Sequence, residues 1–514
     1  MKLSLILLGL FVASTPGFAQ TSFQMNRLEI RFLEVGQSAT LIEAQKTELK
    51  KLEDSARAAR ARGEKGLSFR ELHRGIALME GRAWTTQVAF TTSLVLEPEA
   101  VVCDPSQPLA VRVRQYFPAP LDGNPTLTVH ASIVRGGPEQ NGNATGGAPQ
   151  PLGAFPGAGG DMAKEPFRFT VQLGRVEDSV HQLVVELRDG ERLVHRLTAP
   201  LVPLRGLAAK HADIVARLAN VTGFEQAKAS IRYPLDLMRV LNSGKIDLVP
   251  YDFVGGLARS VELLKSIEAG KDPLPDERGL LWRHYVFAEA GEIMPFGLVV
   301  PRSYDGTKAM PLIIALHGSS TTETRMMQVG NGVLPRVAEE RGFLVATPLG
   351  YRRDGGYGRT RGPLGKLDPE SERASRLSEQ DVFNVLKHVR ANYRVDPARI
   401  YLMGVSSGGR GTWSLGSRHA EIWAALAPSD SGIEVESALP LENLKQHNVP
   451  AYIVHGERDS IALVEDARVM VAELKKLGVP HEYHEIPGGT HGSVIGPAIP
   501  DIVEFFSRHK RADK

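Results

Sequence analysis

One cysteine in 514 residues, Cys103, excludes an intramolecular disulfide and any cysteine-based metal cluster. A lone cysteine of this kind is read as a small buried hydrophobe. Aromatic residues make up only 6% of the chain, and its middle third shows no cluster of them that could serve as a stacking platform for sugar rings. Charge is equally uninformative about partners. Lys and Arg number 61 against 59 Asp and Glu, a formal net charge of +2, so nothing argues for nucleic acid or for acidic ligands. Beyond the first residues no apolar run is long enough to span a bilayer. No H-E-x-x-H occurs, and the glycines at 355, 356, 358, 408 and 409 lack the lysine and the spacing of a phosphate-binding loop. His481 and His484 fall on a predicted strand, where they point to opposite faces and make no metal pair. No metal and no cofactor are implied.

What is present changes character along the chain. Lys2, the apolar run Leu3 to Val12 and the small-x-small triplet Gly17-Phe18-Ala19 read as a secretory signal over 1–19. No cysteine near that cleavage site supports a lipid anchor, so an exported bacterial protein, periplasmic or extracellular and without a membrane anchor, is expected. Residues 20–84 form a helical N-terminal segment, with Leu41, Glu48, Leu49, Leu52 and Ala56 at helical spacing between about Ser38 and Arg62. Residues 85–205 alternate polar and apolar over several short runs, starting at Thr86, and predict an antiparallel β-sandwich of immunoglobulin-like size. Inside it, Arg135 to Gly160 is rich in Gly, Pro, Asn and Gln and is expected to be a mobile loop. Helical spacing returns over a linker region, 206–281, before a final α/β segment, 282–514.

That last segment carries the chemistry. Gly404-Val405-Ser406-Ser407-Gly408 is a G-x-S-x-G string between an apolar strand, Arg399 to Met403, and the opening of a helix around Gly411 to Leu415. A strand that turns sharply into a helix cramps its corner residue and exposes that side chain. Glycines two before and two after remove the Cβ atoms that would collide there. Ser406 is therefore the expected nucleophile. An acid and a base should follow it in that order. The strand Val449 to His455 ends in a turn with two carboxylates, Glu457 and Asp459. Asp459 is preferred, because Glu457 directly follows the strand-ending Gly456; Asp430, after the preceding strand, is the reserve. His491, on the glycine-flanked loop after the strand His481 to Ile486, is the expected base. The strand Pro311 to Leu316 runs into His317-Gly318-Ser319-Ser320, whose Ser319 N–H, or else Gly318 N–H, would join the Ser407 N–H in an oxyanion hole.

Through LHGSS at 316–320, DPARIYLMGVSSGGRGTW at 396–413, HGERD at 455–459 and GGTHG at 488–492, residues 283–506 resemble the α/β-hydrolase superfamily. More narrowly, they are similar to secreted esterases grouped with polyhydroxybutyrate depolymerases, feruloyl esterases and prolyl-oligopeptidase-like hydrolases. The resemblance implies a mostly parallel sheet with flanking helices, a Ser406-His491-Asp459 triad, and cleavage of carboxylic esters in small-molecule or polysaccharide-linked substrates. The alternatives are a prolyl-oligopeptidase-like peptidase and a binding module without catalysis. The peptidase group carries a large propeller as its gate, for which Thr86 to Ala199 is far too short. Gly350 to Arg376, expected to be irregular, follows the strand Phe343 to Thr347 on the side of the sheet where ligands bind in open α/β folds. Its Arg352, Arg353 and Tyr357, with Arg359 and Arg361, are the candidate substrate contacts; equally, the arginines are solvated loop charge offset by Asp354, Asp368 and Glu370.

Overall fold

A computed structural model describes residues 25–511, apart from 26, 30, 34, 37, 38, 137–147, 363–364 and 433–438. The expected signal, 1–19, lies outside the described residues, as do part of the expected loop and the side chain of Arg361. Helices α1 (Glu43–Ala61) and α2 (Lys65–Met79) pair as a hairpin. They bury Ala56, Phe69, Leu72 and Ile76 against Phe117 and Ala119. A third helix, α3 (Thr86–Ser93), stands where strand was expected. Thr85 caps it by accepting from the Val88 N–H, and Thr91 and Thr92 return their hydroxyls to carbonyls one turn back, so threonines that favour strands elsewhere are satisfied here in a helix.

The strands that follow are β1 (Leu94–Pro98), β2 (Val102–Cys103), β3 (Pro108–Gln115), β4 (Leu127–Arg135), β5 (Gln150–Ala158), β6 (Phe167–Gln172), β7 (His181–Asp189) and β8 (Arg192–Pro203). They make a three-stranded sheet, β1-β3-β6, and a five-stranded one, β2-β8-β7-β4-β5. Alternate residues of both, among them Val111, Val113, Phe169, Val129, Leu183 and Val185, share one apolar cluster. Residues 150–158, expected within a mobile loop, are instead the edge strand β5. Pro151, Gly153, Pro156 and Gly157 disguise it, and an edge position tolerates prolines because half of its N–H groups need no ladder partner.

Helices α4 (Leu207–Leu218), α5 (Glu225–Asn242) and α6 (Phe253–Glu268) come next, and α5 lies against the first two strands of the largest sheet. There Tyr233 stacks on His284 at 4.1 Å, and Ser230 Oγ lies 3.1 Å from His284 Nδ1. That sheet holds β9 (Gly279–Phe287), β10 (Glu292–Val300), β11 (Met310–Leu316), β12 (Leu344–Pro348), β13 (Val395–Val405), β14 (Ala425–Ser429), β15 (Ala451–Gly456) and β16 (His481–Ile486). Its order is β16-β15-β14-β13-β11-β12-β10-β9, and β10 alone runs against the other seven. The helices α7 (Arg325–Arg341), α8 (Pro369–Asn392), α9 (Ser407–Arg418), α10 (Glu442–Gln446), α11 (Val464–Leu477) and α12 (Ile495–Ser507) connect them. The central strand β11 is apolar at every position because both faces are covered. Leu312, Ile314 and Leu316 face a cluster with α8, α9 and α11, while Ile313 and Ala315 face α7 and α12. Residues 369–376, expected to be irregular, are the first two turns of α8. Asp368 caps it by accepting from the Ser371 N–H at 3.0 Å, with Pro369 in the first turn.

Candidate active site

The turn from β13 into α9 explains why both glycines are there. A Cβ on Gly404 would lie 2.3 Å from Gly408 O, and one on Gly408 would lie 2.3 Å from Leu316 O and 2.6 Å from His317 O. The corner residue, Ser406, sits at φ 58° and ψ −121°, a strained conformation held because its N–H donates to Ser429 O at 3.0 Å and its carbonyl accepts from Arg410 N. Gly318 comes close on the other side, where an added Cβ would stand 3.3 Å from Ser406 Cβ and 3.8 Å from its Oγ. Neither Ser319 N–H nor Ser407 N–H has an acceptor among the described residues, as donors awaiting an oxyanion would require.

The structure brings Ser406, His491 and Asp459 together. His491 Nε2 lies 3.0 Å from Ser406 Oγ, and His491 Nδ1 lies 2.8 Å from Asp459 Oδ2. Asp459 is buried, which alone would raise its carboxyl. Hydrogen bonds from His491 and from the Ala462 and Ile461 N–H groups outweigh that and hold it below the usual carboxylate range. An ionised Asp459 only accepts, so Nδ1 carries the ring proton and Nε2 is left to receive the proton of Ser406. Glu457 points elsewhere and takes the Gly488 N–H at 2.8 Å. Asp430, the reserve acid, does not bond the imidazole; its oxygens bond the Gly456 and Gly492 N–H groups.

Next to Ser319 the chain is clamped. Ser320 has φ 61°; its N–H donates to Asp354 Oδ1 at 2.9 Å and its carbonyl accepts from Arg353. His317, whose imidazole burial holds below its ordinary range, lies 2.7 Å from Leu349 O and ties the same loop to the segment after β12. Nothing in LHGSS announces that clamp, because its partners stand more than thirty residues on. Three of the expected substrate contacts, Arg352, Arg353 and Arg359, line a cavity of 280 Å³ between α5, the 245–249 stretch and the loop after β12, together with Tyr233, Leu237 and Asp247. Arg352 is already occupied by Glu292, bidentate at 2.8 and 2.8 Å. Tyr357 is a correction. It is 2% exposed, packs on Gly411 of α9 and donates its hydroxyl to His317 O at 3.2 Å, so it braces the site from within rather than facing a ligand. Its position in a glycine-rich, charged loop hid this.

The sequence model of the dienelactone hydrolase family matches residues 327–499, from α7 into α12, a span that includes Ser406, Asp459 and His491. This part of the chain has an α/β-hydrolase-type fold. Over 151 residues the chain is 30% identical to a bifunctional acetylxylan esterase/xylanase of Neocallimastix patriciarum, covering 29% of this chain but only 19% of that one. Among solved structures, a thermostable esterase is 16% identical and aligns with 82% of this chain and all of its own, with a TM-score of 0.38. A ferulic acid esterase of Anaeromyces mucronatus bound to ferulic acid is 16% identical over 45% of this chain and 90% of its own, with a TM-score of 0.36. The hydrolase thus spans about a fifth of the length of its xylan-active relative. Among the described residues no helix is long and apolar enough to cross a membrane.

Proposed function

We propose that the protein is an exported serine esterase that cleaves carboxylic esters through an acyl-enzyme, with Ser406 as nucleophile, His491 as general base and acid, and Asp459 as orienting acid. The observation that carries the reading is the continuous relay from Ser406 Oγ through His491 to Asp459, at 3.0 and 2.8 Å. In the forward step Ser406 Oγ attacks the ester carbonyl while its proton passes to His491 Nε2. The oxyanion is received by the N–H groups of Ser407 and Ser319, each of the kind whose removal typically costs about 3–4 kcal/mol of barrier. Collapse expels the alcohol, which takes the proton from Nε2, and water then repeats the sequence on the acyl-serine. Residues 85–205 and 206–281 are proposed as a β-sandwich and a helical region in front of the catalytic domain at 282–514, with Arg352 and Arg353 at the substrate-binding end. One named relative is an acetylxylan esterase/xylanase, which makes a small or polysaccharide-linked ester the substrate class to try first.

A fluorophosphonate probe and a panel of nitrophenyl acyl esters, feruloylated and acetylated sugars and peptide amides test this on the mature protein. Ser406→Ala should lose both labelling and turnover. Ser407→Ala should keep both, since only its backbone N–H is used. A live Ser406→Ala and a dead Ser407→Ala would overturn the assignment, and turnover of the peptide amides alone would favour a peptidase.

A further inference from the structure

One buried carboxylate outside the relay is spent entirely on the loops that carry it. Asp430 follows β14 and is 0% exposed. Its Oδ1 accepts from the Gly456 N–H at 3.2 Å and its Oδ2 from the Gly492 N–H at 2.8 Å. Gly456 ends the strand that leads to Asp459, and Gly492 directly follows His491. The Asp430 N–H donates to Val454 O at 3.0 Å, and the residue before it, Ser429, accepts the Ser406 N–H at 3.0 Å. The dipeptide Ser429-Asp430 therefore touches the backbone beside all three members of the relay. Its φ of 44° is a left-handed conformation that a non-glycine residue keeps only when its surroundings enforce it.

We propose that Asp430 is a positioning residue for the proposed ester hydrolysis: it locks the His491 loop to the Asp459 turn, and its charge steadies the imidazolium formed when Ser406 gives up its proton. The proposal rests on the relay being the active one. The side-chain chemistry favours it over simple packing. Two backbone N–H groups converge from different loops, and one carboxylate supplies an acceptor for each. An amide of the same shape offers one oxygen and would turn its NH2 group against the other N–H. Burial raises the Asp430 carboxyl and the nearby Asp459 adds to that, while the Gly492 N–H and His491 pull the other way. A second carboxylate this close to Asp459 is costly unless it has a use. Among the described residues, the titratable groups around His491 are Asp459 on the turn after β15, Asp430 at the end of β14 and the Ser406 hydroxyl at the start of α9, with His455 behind Asp459 at 3.6 Å.

The test uses the full-length protein, 4-nitrophenyl acetate and Asp430→Asn. The expected result is a kcat at least tenfold lower, a KM within threefold, and a rising limb of kcat/KM against pH that moves to lower pH, because a negative charge facing the imidazolium has gone. An unchanged kcat, or a loss with the limb unmoved, would overturn the proposal. In the unaltered protein the Gly492 amide should exchange its hydrogen slowly, and fast exchange there would overturn it even if Asp430→Asn failed to fold. Ser406→Ala, run alongside, separates this outcome from failure of the relay itself. If Ser406→Ala still turns over the ester, the esterase reading falls first.

Discussion

Exchanging one atom of Asp459 should disable the site while leaving the fold in place. Asp459 Oδ1 accepts two backbone N–H groups, from Ile461 and Ala462, both at 2.9 Å, and Oδ2 faces His491 Nδ1 at 2.8 Å. In Asp459→Asn the single amide oxygen is drawn to the pair of N–H groups, which leaves the NH2 against Nδ1. Nδ1 must then accept, the ring proton moves to Nε2, and Nε2 can no longer take the proton of Ser406. The wrong tautomer in such a relay costs ~10⁴ in kcat, equivalent to ~5.5 kcal/mol of barrier. All three hydrogen bonds survive, and only the one to His491 exchanges donor and acceptor, so stability should change by no more than ~1 kcal/mol. The assay is nitrophenyl ester turnover beside a thermal melt. Asp459→Asn within tenfold of the parent would refute the reasoning, as would an equal loss in Glu457→Gln, whose bond to the Gly488 N–H lies on the surface.

Gly408→Ala should cost ~3 kcal/mol or more, since the new methyl meets the carbonyls of Leu316 and His317 rather than side chains that can move; a urea titration matching the parent would show the turn to be looser than described. Burial raises the Asp381 carboxyl to about 6 despite hydrogen bonds from Tyr285 and the Tyr351 N–H. A group raised in the folded state stabilises fully below its unfolded value and loses that contribution as pH climbs from about 4 through 6, so Asp381→Asn should flatten the decline of Tm between pH 4 and 7, by ~3 kcal/mol at the upper end. The same pH dependence in both proteins would exclude Asp381 as its source. The Cys103 thiol is pushed up to about 12, by burial first and Asp104 second, and should resist Ellman's reagent until the protein unfolds; rapid modification of the native protein would contradict its burial.

How much could be read beforehand follows from how local each signal is. The turn around Ser406 is written in five consecutive residues, and its two glycines mark the strand-to-helix corner even though one of them, Gly408, also makes room for the Leu316 and His317 carbonyls of a neighbouring strand. The positions of Asp459 and His491 were reachable because each stands on the turn or loop that follows a strand legible in the sequence, Val449 to His455 for one and His481 to Ile486 for the other. Residues 150–158 were not, because their pairing with β4 crosses a long insertion and their prolines argue locally against any strand. The first turns of α8 were obscured by arginines and glutamates that read as loop, although Asp368-Pro369 is a helix start in its own right. The surroundings of Tyr357 and Asp430 could not be read for a shared reason. Each is bonded to a backbone group far along the chain, the His317 carbonyl for one and the Gly492 N–H for the other, and no spacing rule reaches that far.

Arg60, on the first helix described, donates to Asp368 Oδ2 at 3.1 and 2.9 Å, and Asp368 is the residue that caps α8. Separately, Asp236 of α5 accepts the Ile293 N–H at 2.8 Å at the start of β10. The eight-stranded sheet with its helices is therefore sutured to its forerunners at two separate seams, one through a helix cap and one through a strand's backbone. An excised sheet would carry a cap stripped of its guanidinium and an N–H turned to water. Grafting the hydrolase portion alone onto another scaffold, or exchanging what precedes it between homologues, cuts stitches that belong to its own secondary structure. The region in front of β9 is in that sense part of the hydrolase's framework rather than luggage it carries.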